Sequence, residues 1–596
     1  METGNNNDKV IRYWDASWPE EVPKHIDYEE ITLGEILRRT AKTYPDSEVV
    51  YFEGFRMAYR ELDSLVDQFA TALSKMGIKK GDVVLIDVPN IPQYLIAHFA
   101  TVRLGAVSNP VLPVNRFVEI VHQVNDSNGK LLIILDYLYD EYLQGKDLSK
   151  MPSLEHIILT GLAEYLPKVK AKLGTALGKI PRMKEWPIKI GKINFHAFQE
   201  VLQRGIPVNV PKVSIDIKKD TAVLIYTGGT TGVPKGVMTS HYNLVANAQQ
   251  ASIWATNQLV KMKEAKGKGG MLLVVPLAHS YGNIGTTVGM LEGYKLILLP
   301  RPPDKISKIL KVIMKEKATY MPGVPTLYIK INQDSASEKY KGKLDSLIAC
   351  ISAASALPAE VKKNFEEITS ATILEGYGMS ECSPVVSLNP FKNFKINTVG
   401  LPLPDTLVKI VDVDGGIKIL PQCPNENCEN CGADEFQYIG EICIAGPQVM
   451  LGYLGRKEET EYALRKDSKG TIWYYSADIG CIDKDGFLRI KDRKRDMIKY
   501  KGHGVFPREV EDLIYMHEAV NEVGVIGIPD PEAGENIKAY ISIKEEYKGK
   551  VTEEDLMKWC QENISPYKYP RIIEIIDDLP KSVIGKILRR ELRKEE

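Results

Sequence analysis

Short apolar runs alternate with helix-like segments along the first half of the chain. Residues 91–104, which follow the apolar run at residues 82–88, have the pattern of a helix. Apolar runs of this length, bounded by glycine and proline and separated by helices, are typical of partly parallel sheets, so the pattern predicts an α/β fold. The runs predicted as buried strands are residues 82–88, 130–135, 154–159, 221–226, 271–275 and 294–299.

The pattern changes near residue 400. Residues 407–412 and 440–446 are short runs that indicate antiparallel strands. The densely charged stretch 491–496 follows, and residues beyond it have a mixed βαβ pattern. We predict a domain boundary in this stretch, and the alternative is a solvated charged loop inside one domain.

Composition and charge narrow the class of protein. A chain of 596 residues allows about three to five structural units. Hydrophobic residues make up 44% and charged residues 26%, as in soluble globular proteins. The net charge of −1 argues against nucleic acid as a partner. Residues 94–114 are interrupted by polar side chains and residues 1–8 lack an apolar core, so we predict a cytoplasmic protein without a membrane span.

The most informative stretch is residues 226–237, which follow an apolar run and combine glycines, threonines and a lysine. Glycines let backbone N–H groups approach a ligand closely, hydroxyls add donors, and lysine adds a mobile charge, which together suit a polyphosphate. The order of residues fits neither a Walker A loop nor G-x-G-x-x-G. The alternative is a glycine-rich turn between strands. The stretch contains Thr227, Gly228, Gly229, Thr230, Thr231, Gly232 and Lys235.

This loop resembles the signature loop of the adenylate-forming superfamily, which includes acyl-CoA synthetases, firefly luciferase and peptide-synthetase adenylation domains. Further segments resemble the superfamily's motifs in the same order: residues 276–282 (P-x-x-H-x-x-G), 352–358 (S-G-G-A-P-L-P), 375–381 (E-G-Y-G-M-T-E), 440–453 (G-E-I-x-I-x-G-P…G-Y), 475–480 (x-T-G-D-I-G), 493–511 (R-x-K-D-x-I-K…V-x-P-x-E-V-E) and 580–587 (P-K-T-x-x-G-K-I). The resemblance extends from about residue 30 to the end of the chain.

The resemblance implies a fold and a reaction. The implied fold is a large N-terminal domain, residues 1–491, built of stacked α/β subdomains and a β-barrel-like subdomain. A hinge at 492–495, with Arg495 as pivot, leads to a small mobile α+β domain, residues 496–596. The implied enzyme is an AMP-forming acid–thiol ligase. It uses ATP, Mg²⁺ and coenzyme A to convert a carboxylic acid first to an acyl-adenylate and then to a thioester.

The resemblance also implies a role for each matching residue. Lys586 and Thr230 would act on the phosphates during adenylation, Glu381 would bind Mg²⁺, and His279 would gate the thiol channel. The implied ATP- and AMP-binding residues are Thr227, Gly228, Gly229, Thr230, Thr231, Gly232, Lys235, Ala353, Ala354, Ser355, Glu375, Gly376, Tyr377, Gly378, Ser380, Asp478, Ile490, Arg493 and Lys499. The implied acyl pocket consists of His279, Tyr281, Gly282, Val324 and Met379. Ala477 departs from the family pattern, which has glycine before the aspartate.

The sequence narrows the identity of the acyl substrate less than it narrows the reaction. Residues 18–23 and the insertion at about 136–200 resemble long-chain fatty acyl-CoA synthetases, so a fatty acid is favoured, with medium-chain and aryl acids left open. Residues 166–192 hold eight Lys/Arg and one acidic residue, with Val169, Leu173, Leu177 and Ile180 near helical spacing. Such a segment suits peripheral contact with an anionic membrane. The alternative is a surface helix packed on its apolar side.

Three clustered cysteines are unexpected for the superfamily. Cys423, Cys428 and Cys431 have the spacing of thiolate metal ligands, but structural zinc takes four ligands and the sequence offers no neighbouring fourth. The alternative is a surface hairpin without metal.

Three functions stay open at this stage. The leading one is an acyl-CoA synthetase, the second is a fatty acyl-AMP ligase that serves a carrier protein, and the third is a non-catalytic binding protein of the same fold. A homodimer is also left open.

Overall fold

The computed structural model describes residues 11–181, 183, 186–227, 233–301, 305–353, 357–413, 415–426, 428, 437–494, 496–501, 503–581 and 587–594. The helices are α1 (Leu33–Thr43), α2 (Tyr59–Lys75), α3 (Pro92–Arg103), α4 (Phe117–Asp126), α5 (Asp136–Tyr142), α6 (Lys168–Ala176), α7 (Phe198–Arg204), α8 (His241–Gln258), α9 (Val260–Glu264), α10 (Ser280–Glu292), α11 (Ile306–Glu316), α12 (Pro325–Gln333), α13 (Ala359–Thr369), α14 (Lys457–Ala463), α15 (Pro507–Ile514), α16 (Glu553–Asn563) and α17 (Arg589–Leu592).

The strands of the first 406 residues are β1 (Glu48–Phe52), β2 (Phe55–Ala58), β3 (Val83–Asp87), β4 (Val107–Pro110), β5 (Leu131–Leu135), β6 (His156–Thr160), β7 (Lys189–Ile190), β8 (Ile193–Ala197), β9 (Thr221–Thr227), β10 (Lys235–Ser240), β11 (Gly270–Leu273), β12 (Lys295–Leu298), β13 (Tyr320–Gly323), β14 (Ala349–Ser352), β15 (Thr372–Gly378), β16 (Val385–Leu388) and β17 (Leu401–Pro402). Those that follow are β18 (Leu407–Val411), β19 (Gly440–Ala445), β20 (Gly452–Tyr453), β21 (Leu464–Lys466), β22 (Ile472–Ile482), β23 (Leu488–Arg493), β24 (Ile498–Tyr500), β25 (His503–Val505), β26 (Val520–Asp530), β27 (Gly534–Ile543) and β28 (Ile572–Ile575).

The chain divides into two compact units. The large unit comprises residues 18–406 and 445–465, and the small unit comprises the described parts of 1–17, 407–444 and 466–596. The predicted boundary at 492–495 lies inside the small unit, at the end of β23. The boundary between the two compact units therefore does not coincide with the predicted hinge, and a pivot at 492–495 stays a prediction. Arg495 itself lies outside the described residues.

Two nine-stranded sheets form the large unit, in the orders β17-β16-β15-β14-β13-β11-β12-β1-β2 and β20-β10-β9-β4-β3-β5-β6-β8-β7. Their central strands are parallel, and antiparallel strands are added at the edges. Strands β3 and β5 are buried along their whole length, which explains their continuous apolar sequences. The predicted α/β fold, the six strands and helix α3 are confirmed.

The small unit contains two sheets. One has the order β18-β19-β22-β21 with β23 beside β22, and the other has the order β25-β24-β27-β26 with β28 beside β27. Strands β19, β22 and β23 pair antiparallel, as the pattern after residue 400 predicted. A second core of apolar side chains lies between the β26–β27 sheet and helices α15 and α16. Among the residues described, no helix is long and apolar enough to cross a membrane.

Candidate active site

The phosphate-loop residues that the structure describes lie on paired strands. Thr227 ends β9, Lys235 begins β10, and the two residues are partners in the antiparallel ladder. Residues 228–232, which include five of the predicted phosphate ligands, lie outside the described residues. The ladder therefore holds the two ends of the loop together at the ends of two adjacent strands.

Lys235 is positioned by residues that the sequence did not single out. Its ammonium group forms an ion pair with Glu459 of α14 and lies 5.2 Å from the centre of the Tyr453 ring. Tyr453 belongs to β20, which pairs with β10 at Val237. A lysine that is largely buried and has one carboxylate partner is a ready site for a polyphosphate, since phosphate oxygens can replace that carboxylate.

Glu381 lies beside this lysine cluster. Its Oε1 accepts a hydrogen bond from the Tyr453 hydroxyl at 2.9 Å, and its backbone carbonyl accepts one from the Met450 amide at 2.8 Å. Tyr453 thus contacts both the predicted phosphate ligand and the predicted Mg²⁺ ligand. A carboxylate next to a phosphate-binding lysine fits Mg²⁺, which prefers a few carboxylate oxygens together with substrate phosphates.

The residues of the 352–358 and 375–381 motifs that were predicted to bind ATP and AMP lie at the carboxyl ends of parallel strands β14 and β15, where ligands bind in open α/β sheets. Ser352 of β14 pairs with Glu375 of β15, and the Glu375 carboxylate accepts a hydrogen bond from the Leu357 amide at 3.2 Å. A side chain at Gly376 would clash with Leu388, and one at Gly378 with the Pro384 carbonyl.

Close packing against the backbone therefore requires glycine at Gly378, whereas at Gly376 the Leu388 side chain would have to move. Tyr377 lies between them and is half-buried. Ala353 follows β14, while Ala354 and Ser355 lie outside the described residues.

The small unit brings the predicted ribose-binding residues together. Asp478 and Arg493 are partners in the β22–β23 ladder, with the guanidinium Nε 2.7 Å from the buried carboxylate. Ile490 lies on the same strand as Arg493, whereas Lys499 is exposed on β24 in the other sheet. Ala477 has a φ of +57°, the left-handed region that favours glycine.

Glu441 holds this alanine turn in place, although the sequence assigned it no role. Its Oε1 accepts a hydrogen bond from the Ala477 amide at 3.1 Å, and its Oε2 accepts one from Lys494 at 3.0 Å. The glutamate of the G-E-I motif therefore supports the backbone next to Asp478. The match of residues 440–453 to the superfamily motif was the sequence signal that could have pointed to Glu441.

His279 caps the N-terminus of α10. Its Nδ1 accepts a hydrogen bond from the Tyr281 amide at 3.1 Å, so the proton of the neutral ring is on Nε2. Burial lowers the pKa of His279 to about 4, because desolvation disfavours the charged ring. The histidine is therefore neutral at physiological pH. A side chain at Gly282 would clash with the Pro276 backbone, which explains the glycine of this motif.

An apolar cavity begins beside these residues. It has a volume of about 50 Å³ and is lined mainly by helices α8 and α10 and strands β13 and β16. Tyr281 lies at one end, and Ser280 next to it is 3.0 Å from the Ser380 hydroxyl of the Glu381 motif. Glu292 lies at the other end, where it accepts a hydrogen bond from Ser252 at 2.5 Å.

The cavity follows α10 from Tyr281 to Glu292, a distance of about 16 Å at 1.5 Å per residue. It therefore runs away from the polar cluster around Glu381. Among the described residues that were predicted for the acyl pocket, only Tyr281 lines this cavity. His279, Gly282, Val324 and Met379 do not line it, and their predicted role in the pocket stays a prediction.

The cavity walls were missed because they come from helices without a motif. The walls include Ala251, Ala255, Ile284, Gly285 and Val288.

Lys586 lies outside the described residues, but Arg589, three residues further on, is fixed. The Arg589 guanidinium contacts Glu511 at 2.6 Å and Asp492 at 2.7 Å. Burial by itself would lower the pKa of Arg589, but these two carboxylates outweigh burial and raise the pKa. This buried pairing attaches the segment just after the 580–587 motif to helix α15 and strand β23, and no sequence pattern pointed to it.

Two of the three clustered cysteines belong to the described residues. Cys428 forms a disulfide with Cys481 of β22, and Cys423 lies in the same buried cluster. Cys431 lies outside the described residues. In the part of the chain that the structure describes, no group of three His, Cys, Asp or Glu side chains could hold a metal, so a metal site at the clustered cysteines stays a prediction.

The large unit thus combines a lysine at the end of the predicted phosphate loop, a carboxylate suited to Mg²⁺ and an apolar cavity that begins next to them. The family model described as AMP-binding enzyme matches residues 37–454, and the one described as AMP-binding enzyme C-terminal domain matches residues 509–586. The chain belongs to the AMP-binding enzyme family.

Named relatives agree with this family. The chain is 35% identical over 590 residues to a long-chain-fatty-acid--CoA ligase of Bacillus subtilis (strain 168), covering 98% of each chain. It is 32% identical, with the same coverage, to a long-chain-fatty-acid--CoA ligase of Escherichia coli O157:H7. Among solved structures, the anthranilate CoA ligase AuaEII in complex with anthranoyl-AMP has a TM-score of 0.77, 24% identity, and coverage of 97% of this chain and 98% of that chain. At that identity the structural likeness shows the fold alone.

Proposed function

We propose that this protein is an ATP-dependent long-chain fatty acyl-CoA synthetase. The observation that carries the proposal is the apolar cavity that starts beside the Ser380–Glu381 cluster and extends along α10. A narrow channel of this length suits an extended alkyl chain better than a compact aromatic ring. Each methylene buried in it is worth about 0.8 kcal/mol, so long chains gain the most.

The reaction has two steps. The fatty acid carboxylate attacks the α-phosphorus of ATP, which forms the acyl-adenylate and expels pyrophosphate. The sulfur of coenzyme A then attacks the acyl carbon and expels AMP, while the thiol proton is lost to solvent. When bound, Mg²⁺ neutralises charge on the phosphates.

We assign the first step to residues of the large unit together with the catalytic lysine. Lys235 would hold the β- and γ-phosphates after leaving Glu459, and Glu381 would hold the metal while Tyr453 fixes its carboxylate. Lys586 would stabilise the charge that develops between carboxylate and α-phosphate. In the small unit, the Asp478 carboxylate is suited to accept both ribose hydroxyls.

A panel of acids tests the function. We expect pyrophosphate release that requires both ATP and a long-chain acid, and acyl-CoA formation that requires coenzyme A. Release of pyrophosphate without any acyl-CoA would favour the fatty acyl-AMP ligase, and the absence of both products would favour a binding protein. A preference for aryl or medium-chain acids would contradict the cavity argument.

Separate assays of the two steps test the catalytic lysine. We expect Lys586→Ala to reduce adenylation far more than thioester formation from supplied acyl-AMP. The matched control is Lys594→Ala, which removes an exposed lysine near the end of the same basic segment. Equal losses in both steps would contradict the assignment.

We also propose that the protein attaches peripherally to anionic membranes from the cytoplasm. The predicted alternative, a helix packed on its apolar side, has no support, because no residue of α6 is buried. Val169, Leu173 and Leu177 are 71%, 58% and 64% exposed, and Ile188 is 86% exposed. These side chains lie among lysines, the composition that binds an anionic lipid surface.

Vesicles containing phosphatidylserine test this attachment. We expect binding at low salt that weakens as salt is added. Reversing the charges of Lys168, Lys172 and Lys179 removes about 1 kcal/mol of attraction per lysine and adds repulsion, so binding should weaken by more than about 150-fold. Lys170 is left intact because it pairs with Glu53. Wild-type protein that stays off these vesicles at low salt would exclude the proposal. Light scattering of the same preparation tests for a homodimer.

A further inference from the structure

One asparagine side chain joins the two sheets of the large unit. Asn90 lies between β3 and α3 and is 4% exposed. Its Nδ2 donates hydrogen bonds to the Leu273 carbonyl at 3.1 Å and to the Val275 carbonyl at 2.9 Å. Its Oδ1 accepts one from the Leu277 amide at 2.9 Å. The loop after β3 therefore holds the turn that follows β11, a strand of the other sheet.

Asparagine is the residue type that fits these partners. Its amide nitrogen carries two donors and its oxygen is an acceptor, so one side chain serves two carbonyls and one backbone amide. Val275 and Leu277 are buried and lie beyond Leu273, the last residue of β11 that pairs with β12. Buried backbone groups need hydrogen-bond partners, and at this turn Asn90 supplies them in place of a strand.

Tyr94 adds a fourth hydrogen bond to the same turn. Its side chain is buried on the first turn of α3, and its hydroxyl donates to the Leu277 carbonyl at 2.8 Å. The amide and the carbonyl of Leu277 are therefore both held by side chains of the 90–94 segment.

The turn leads directly to the mouth of the apolar cavity. The His279 amide donates a hydrogen bond to the Pro276 carbonyl at 3.0 Å, and His279 is the cap of α10. Tyr281 lines the cavity, and its hydroxyl donates to the Ile351 carbonyl at 2.9 Å. Because residues 274–279 connect β11 to α10, a shift of the turn moves His279 and Tyr281.

We propose that Asn90 is a positioning residue for the acyl substrate, because it fixes the turn that places His279 and Tyr281 at the cavity mouth. The inference rests on the proposed function, in which this cavity takes the alkyl chain. Asn90 does not line the cavity, so it acts on the substrate only through the turn. A misplacement of about 1 Å at a reacting group can cost about 100-fold in rate.

Steady-state kinetics of Asn90→Leu test this role, since leucine has a similar size and removes all three hydrogen bonds. We expect kcat/KM for the fatty acid to fall about 100-fold, mainly through a higher KM, while the KM for ATP stays unchanged. A smaller fraction of folded enzyme would instead lower kcat and leave both KM values as they are. The matched control is Asn332→Leu, since the Asn332 amide also donates to a backbone carbonyl, that of Val361, in the large unit. This control should keep both KM values.

Tyr94→Phe is a milder variant of the same test. It removes one hydrogen bond and keeps the ring, so the KM for the acid should rise by less than in Asn90→Leu. An unchanged acid KM in folded Asn90→Leu overturns the proposal, and so do equal rises in the KM for the acid and for ATP. If Asn90→Leu does not fold, an unchanged acid KM in Tyr94→Phe overturns it.

The His279 ring gives a second measurement that does not need turnover. Its nuclear magnetic resonance signal is identified by its absence in His279→Asn. Burial lowers the pKa of His279 to about 4, and in Asn90→Leu the loosened turn should admit water and raise this pKa towards about 6.5. Wild-type protein that forms no acyl-CoA would contradict the proposed function, whereas an unchanged His279 titration in folded Asn90→Leu overturns the positioning role alone.

Discussion

Ala255→Phe tests whether the apolar cavity holds the alkyl chain. Ala255 lines the cavity from α8 and is buried. It lies one turn beyond Ser252, which bonds to Glu292 at the end far from Ser380. A phenyl ring there fills the distal part of the cavity and leaves the region beside Tyr281 open.

The magnitude follows from the methylenes that the ring displaces. If the ring excludes about three methylenes, the loss is about 2.4 kcal/mol, or about 60-fold in kcat/KM. This loss applies only to acids long enough to reach the distal end. Acids shorter by three or more carbons should keep their wild-type kcat/KM, which also reports that the variant folds.

The assay measures acyl-CoA formation over a series of saturated acids of increasing length. The control Asn257→Phe places the same ring on the exposed side of the same helix and should leave the profile unchanged. A uniform loss at all lengths would indicate damage to the fold or the nucleotide site. An unchanged profile in folded Ala255→Phe protein would refute the assignment of the cavity to the acyl chain.

Three further predictions follow from single contacts. Tyr453→Phe removes the hydroxyl that donates to Glu381, a bond worth about 1.5–3 kcal/mol, so pyrophosphate release should fall about 10- to 100-fold; an unchanged rate would remove Tyr453 from the site. Ala477→Gly relieves a left-handed alanine, and glycine's unfolded-state entropy offsets part of the gain. The free energy of unfolding measured in urea should therefore rise by about 0.5–1 kcal/mol, whereas no rise would contradict the backbone conformation. Burial lowers the pKa of His279 to about 4 in the folded protein, whereas its pKa in the unfolded chain is about 6.5. Below about pH 6.5 the unfolded chain therefore binds a proton that the folded protein does not bind. The free energy of unfolding should fall by about 2 kcal/mol by pH 5 for this reason. His279→Asn keeps a capping acceptor, so its unfolding free energy should fall less between pH 7.5 and 5 than that of the wild type, and an equal fall would contradict a buried neutral ring.

Much of the fold was readable from the sequence. Strands β3 and β5 are buried on both faces, so the apolar requirement acts on consecutive residues and leaves a continuous run that any reader of the chain can see. The motif glycines were equally readable, and the structure supplies the reason, since Gly378 and Gly282 each face a backbone carbonyl that leaves no space for a side chain. Tyr453 and Glu459 were not assigned a role, because they contact Glu381 and Lys235, which are distant from them along the chain.

The sequence by itself determined the order of motifs, the class of fold and the residue types of the predicted nucleotide site. Buried strands require consecutive apolar residues, and close backbone packing requires glycine at fixed positions, so both leave patterns within short segments of the chain. Only the tertiary structure decided the cavity and the cysteine cluster. The cavity walls come from α8, α10 and strands of one sheet, and alanine, valine or isoleucine on a helix has the same local pattern whether it faces a core or a ligand. Cys481 is likewise ordinary in its strand until the fold brings it to Cys428. Contacts between distant segments leave no periodic signal, so the shape of the apolar cavity and the pairing of Cys428 with Cys481 are properties of packing.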